Sequence, residues 1–122
     1  MKFIFFTDDR FKHHLEVLEQ LKAASKAKGT REQYARAWGH FQTWAIGTDV
    51  VFMPATPLTV DIYLAEIVIT GRGAATAQMA LAAISDKHVT MRLESPCSDP
   101  SIRQSMQGIR RTLVDQQFKR KP

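Results

Sequence analysis

One cysteine, Cys97, occurs in the 122 residues. An internal disulfide is therefore excluded, no zinc site can rest on thiolates, and the usage fits a reducing compartment. Apolar runs such as Phe3–Phe6 and Ile67–Ile69 are far too short to cross a bilayer, so no membrane partner is expected. Met1–Phe6 is likewise too short for a secretory h-region. Sustained polar–apolar alternation is missing, and Val50–Met53 is the one weak strand candidate. Gly71-Arg72-Gly73 lacks the following spacing and the preceding strand of a nucleotide-binding glycine motif. His13 and His14 are adjacent, so on a helix they face different sides and do not readily chelate one ion. No metal and no cofactor are expected.

What is present is a chain of one-domain length, 44% apolar and 24% charged, which is ordinary for a globular protein. Its net charge of +5 is unevenly spread. Lys22 to Arg36 holds Lys22, Lys26, Lys28, Arg31 and Arg36 against Glu32. Ser101 to Pro122 holds Arg103, Arg110, Arg111, Lys119, Arg120 and Lys121 against Asp115. Between them, Asp49 to Thr70 carries only Asp49, Asp61 and Glu66. Two basic blocks flanking an acidic one give a polarised surface that favours an anionic partner; a merely solvated basic surface is the competing reading.

The periodicity is helical throughout and falls into five segments. The first is expected from Asp8 to Ser25, capped by Thr7 or Asp8, with Phe11, Leu15, Leu18 and Leu21 in a stripe and Lys26-Ala27-Lys28-Gly29 as its end. The second is expected from Thr30 to Ile46, with Thr30 as N-cap, Gln33 completing a capping box, and Tyr34, Trp38, Phe41 and Ala45 on one face. After Gly47-Thr48-Asp49 and an extended crossing, Thr56-Pro57 opens the third helix as cap and first-turn proline. Val60, Tyr63, Leu64 and Ile67 form its stripe, and Gly71-Arg72-Gly73 breaks it. The fourth, Ala74 to Thr90, aligns Leu81, Ile84 and His88, the last read as a packed, hydrogen-bonded core histidine. The fifth follows Asp99-Pro100 to about Gln116, with Ile102, Met106, Ile109 and Leu113 inward. The expected fold class is all-α, a bundle of four to five helices with short connections.

This chain is poorly equipped as an enzyme. Cys97 sits in a proline-rich loop without a histidine partner and reads as a bystander thiol, and the carboxylates form no pair at catalytic spacing. Nucleic-acid binding is better served. The second helix leaves Arg31, Gln33, Arg36 and His40 off its aromatic face, with phosphate and water both plausible partners for His40. The start of the fourth helix offers Thr76, Gln78 and Met79, with Arg72 just ahead. Arg serves phosphate or guanine, Gln suits adenine, and Met can only pack.

The order of these features resembles the core-binding, SAM-like N-terminal domain of tyrosine recombinases (phage integrases). The elements that carry the resemblance are Ser25, Thr30-x3-Tyr34-x3-Trp38-x2-Phe41-x2-Trp44, Met53-Pro54-Ala55, Val60-x2-Tyr63-Leu64 and Gly71-x4-Thr76. Leu81-x2-Ile84-x3-His88, Ser95-Pro96, Asp99-Pro100 and Gly108-Ile109-Arg110-Arg111 complete it, over roughly Ser25 to Arg120. The resemblance implies a single orthogonal helical bundle forming half of a C-shaped clamp on double-stranded DNA, used in DNA integration and recombination. It implies DNA contacts from Lys28, Arg31, Gln33, Arg36, His40, Arg72, Thr76, Gln78 and Met79, with Arg110 and Arg111 near a linker and the DNA backbone.

The organisation so implied is an N-terminal extension over 1–24, a core-binding domain over 25–116, and over 117–122 the start of a linker to a catalytic domain. The family's phosphotyrosyl chemistry lies in that separate domain. Tyr34 and Tyr63 match structural positions, and the isolated chain is expected to be catalytically inert. Self-association within a recombinase assembly on DNA is expected too. The compartment would be cytoplasm or nucleoid in a prokaryote or phage, and nucleus in a eukaryote. A helical protein–protein module, using the first helix and Met1–Phe6, is the alternative reading.

Overall fold

The computed structural model describes residues 9–112, and Thr7, Asp8, Met1–Phe6, Leu113, Gln116 and the 117–122 segment lie outside them. The chain divides into two compact units, 1–32 and 33–122, and the division falls inside a helix. Among the described residues there are five α-helices and no strand: α1 (Lys12–Ala24), α2 (Lys28–Gly47), α3 (Pro57–Ile69), α4 (Ala74–Thr90) and α5 (Pro100–Arg111). An all-α bundle is the fold.

In the first unit a 3-10 turn, Asp9–Phe11, leads into α1, whose N-cap Phe11 offers no side-chain hydrogen bond. The apolar stripe of α1 stays open: the helix buries no residue, Phe11 and Leu15 are half-buried, and Leu21 is 62% exposed. Among the described residues of its own unit, none is buried against α1. The start of α2 corrects the reading from sequence. Ser25 closes α1, with its N–H and Oγ both donating to the Lys22 carbonyl, and α2 starts at Lys28. Ala27 accepts the Arg31 N–H at 3.0 Å, so Ala27 occupies the capping place. Thr30 is then inside the first turn, and the expected Thr30–Gln33 box does not form. Gly29 does not stop a helix here because its φ is not positive; a glycine terminates helices through that left-handed conformation.

The second unit is held by one core. From α2 come Phe41 and Ala45; from α3, Val60, Tyr63, Leu64, Ile67 and Val68; from α4, Ala77, Ala80, Leu81 and Ile84; from α5, Ile102, Met106 and Ile109. Tyr34 sits at the margin, half-buried. Trp38, Phe41, Trp44 and Tyr63 form an aromatic chain with centroid separations of 5.0 to 6.1 Å, each such pair contributing about 0.5–1.5 kcal/mol beyond area burial. The Val50–Met53 crossing pairs with nothing as a strand, and Val51 is 72% exposed.

The caps explain the breaks. Thr56 Oγ1 accepts the Thr59 N–H at 3.1 Å with Pro57 in the first turn, and Asp99 Oδ1 accepts the Ser101 N–H at 2.9 Å with Pro100 behind it. Asp49, Gly71 and Arg92 take positive φ at the chain reversals. Two polar ties join distant segments, one between α4 and the connection before α3 and one between α3 and α5. His88, fully buried, donates from Nδ1 to the Ile84 carbonyl at 2.8 Å and accepts the Ala55 N–H on Nε2 at 2.9 Å. Asp61 on α3 accepts the hydroxyls of Ser101 and of Ser105, the latter at 2.7 Å, both from α5.

Candidate nucleic-acid interface

Because Phe41 and Ala45 fix the inward side of α2, residues at the other azimuths are left to solvent. In the first unit, Lys28 and Arg31 are both exposed. Lys28 Nζ lies 4.0 Å from Glu32 Oε1, an i,i+4 pair between two exposed side chains; such pairs hold little energy in water. In the second unit, Gln33, Arg36 and His40 are exposed. Their spacing of three and four puts them in one row along α2.

The α4 and α5 candidates are also outward. Thr76 and Gln78 are exposed in the first two turns of α4, Met79 is half-buried, and Arg110 and Arg111 are exposed in the last turn of α5. Two of these sequence-distant residues meet: Arg110 Nη2 donates to Gln78 Oε1. The basic last turn of α5 also complements that helix's negative end.

A second meeting point is an open cleft of about 340 Å³ between α2, α3 and the turn after α3. His40, Thr43 and Trp44 come from α2, and Tyr63, Glu66, Ile67, Thr70 and Arg72 from α3 and the turn. His40 and Arg72, expected separately from sequence, thus line one surface. Glu66, Thr43 and Thr70 were not among the candidates, although the i,i+3,i+4 relation of Glu66 and Thr70 to Tyr63 and Ile67 carries the signal. Burial pushes the Tyr63 phenol above its ordinary range; the Arg72 guanidinium opposes that rise and the Glu66 carboxylate adds to it. The cleft therefore mixes an aromatic floor with charges of both signs.

Lys87 was also missed. Its Nζ stands 5.8 Å from the Trp38 ring centroid, a cation–π placement that follows from α4 packing and has no short-range sequence signature. Cys97 is a half-buried thiol whose Sγ faces the Leu81 carbonyl at 3.6 Å. Burial pushes it up to about 11, against a lowering contribution from the Ser95 hydroxyl, so it is protonated at neutral pH. Among the described residues no three His, Cys, Asp or Glu side chains gather as a metal site, and no helix is long and apolar enough to cross a membrane.

No family model matches the chain. A curated relative does: the chain is 31% identical over 90 residues to a protein described as "Integrase/recombinase xerD homolog" from Selenomonas ruminantium. The match takes in 71% of this chain and 26% of that protein. The chain is thus related in sequence to a recombinase and spans about a quarter of that relative's length.

Proposed function

We propose that the chain is the DNA-binding, core-binding domain of a tyrosine recombinase, gripping duplex DNA from one side while strand breakage and rejoining are carried out by a separate catalytic domain. The similarity to the xerD homologue, covering 71% of the chain, is the observation that carries this reading. It is supported by the outward placement of the basic and amide side chains on α2, α4 and α5. In this reading residues 25–116 are the binding domain, residues 1–24 an extension and residues 117–122 a linker. Arg31, Arg36, Arg72, Arg110 and Arg111 neutralise phosphates, and the row Gln33, Arg36 and His40 enters the major groove beside Thr76, Gln78 and Met79.

No residue of this chain takes a catalytic role in the scheme. Its contribution to recombination is to fix register: phosphate contacts position the duplex, and a few base-edge contacts choose the site. The test is fluorescence anisotropy of the chain on a labelled duplex across a salt series. Each phosphate contact should add about 0.9 to the log–log slope. Arg31→Ala, Arg36→Ala and Arg72→Ala should each flatten the slope by about that amount. A wild-type affinity indifferent to salt would overturn the reading.

One observation favours a second role, self-association on DNA. Val17, Leu18 and Leu21 of α1 are exposed in the first unit, and Leu58 and Ile62 of α3 in the second, and exposed apolar surface usually finds a cover. Sedimentation of the full chain with and without duplex tests it; a strict monomer in both would reject it.

A further inference from the structure

The Gln78–Arg110 bond carries more information than a surface contact, because it settles which way an amide points. Arginine has donors only, so the Gln78 atom facing Arg110 Nη2 must be the carbonyl Oε1. The amide is planar, and its Nε2 group is consequently turned away from α5. A free glutamine reads adenine by giving one hydrogen bond to N7 and taking one from the N6 amino group. With one lone pair of Oε1 taken by Arg110, the group that Gln78 leaves for a base is its Nε2 amino group, which only donates. The base edge that offers two acceptors side by side in the major groove is guanine, through N7 and O6.

We propose that Arg110 is a positioning residue for Gln78, and that the pair, joining α4 to α5, selects guanine over adenine at one position of a bound duplex. The assignment rests on the DNA-binding reading above and reverses the adenine preference that glutamine alone would have. Arg110 acts through Gln78: the helix α5 residue fixes an amide on α4, and the amide meets the base.

The experiment has two legs on the full chain. In solution NMR without DNA, Arg110→Ala should move the side-chain amide resonances of Gln78, Arg110→Lys should move them less because lysine still donates to Oε1, and Arg103→Ala, which removes an equal charge elsewhere on α5, should leave them in place. In the second leg a pool of duplexes with randomised cores is bound at low salt and the bound fraction sequenced. Wild type should enrich guanine at one position. Arg110→Ala should shift that position toward adenine by on the order of tenfold, within what one bidentate base contact discriminates. Gln78→Ala should abolish the preference, and the double variant should match Gln78→Ala. Unmoved Gln78 resonances in Arg110→Ala, or the same base enriched by wild type and Arg110→Ala, would overturn the proposal. Absence of binding by wild type to any duplex, with the resonance shift intact, would overturn the DNA reading and the base preference with it, while leaving the bond itself established.

Discussion

Replacing His88 tests the core most directly. The imidazole is fully buried, with Nε2 accepting the Ala55 N–H and Nδ1 donating to the Ile84 carbonyl. Its ring also stands edge-on to Trp38 at 6.2 Å. His88→Ala leaves the Ala55 N–H without an acceptor, which costs about 1–3 kcal/mol. It also opens a cavity, and truncation of a buried side chain of this size to alanine costs about 2–5 kcal/mol. Because the cavity can admit water to the orphaned N–H, the two do not sum fully, and a loss of about 3–5 kcal/mol is expected. His88→Gln keeps a side-chain acceptor at similar reach and should lose only about 1–2 kcal/mol. Urea titration followed by tryptophan fluorescence reads both. At a slope of about 2 kcal/mol per molar, typical of a small protein, the alanine midpoint should fall by roughly 1.5 to 2.5 M, unless the variant is already unfolded. An alanine variant within about 1 kcal/mol of wild type, or a glutamine variant no better than alanine, would refute the view that the bond from the Ala55 N–H to His88 holds that segment to α4.

Two further effects can be read in solution. The Cys97 thiol, raised from 9.0 to about 11, should react with a disulfide reagent several-fold more slowly in the folded chain than in urea at neutral pH. Its linkage runs in one direction: the folded state keeps the proton longer, so the contribution is full below pH 9.0 and is lost as pH rises toward about 11; a Cys97→Ser chain with the same alkaline stability profile would contradict this. Asp61→Ala removes the acceptor of both Ser101 and Ser105 and should cost about 1–2 kcal/mol in thermal unfolding, with Ser101→Ala adding little on top of it.

Where the sequence was legible, the signal was local and chemical. Thr56-Pro57 and Asp99-Pro100 each state a cap and a first turn in two residues, and both helices start there. The Leu81, Ile84 and His88 line was read as core, and its burial follows from the same 3.6-residue period. Sequence and structure part at Lys28–Thr30, where α2 begins at Lys28 and runs through Gly29, because nothing local demands a positive φ there. Along α1 the apolar stripe specifies only that a surface wants covering, and not what covers it. For the interface, exposure of the individual side chains was legible from the faces left by the core. The pairing of Gln78 with Arg110, and of His40 with Arg72 in one cleft, was not, since each pair joins elements separated by more than thirty residues and depends on how the helices pack.

Ala77 and Ala80 sit on the buried face of α4, beside Gln78. Helix separations are set by the side chains at the contact, so these two methyl groups are spacers that determine how near α4 lies to its neighbours. The amide–guanidinium pair on the outside is built on that spacing. A single added methyl pair, as in Ala80→Val, would widen the gap and stretch a contact it never touches. The geometry of the Gln78–Arg110 pair is in this sense written partly in the volume of the core.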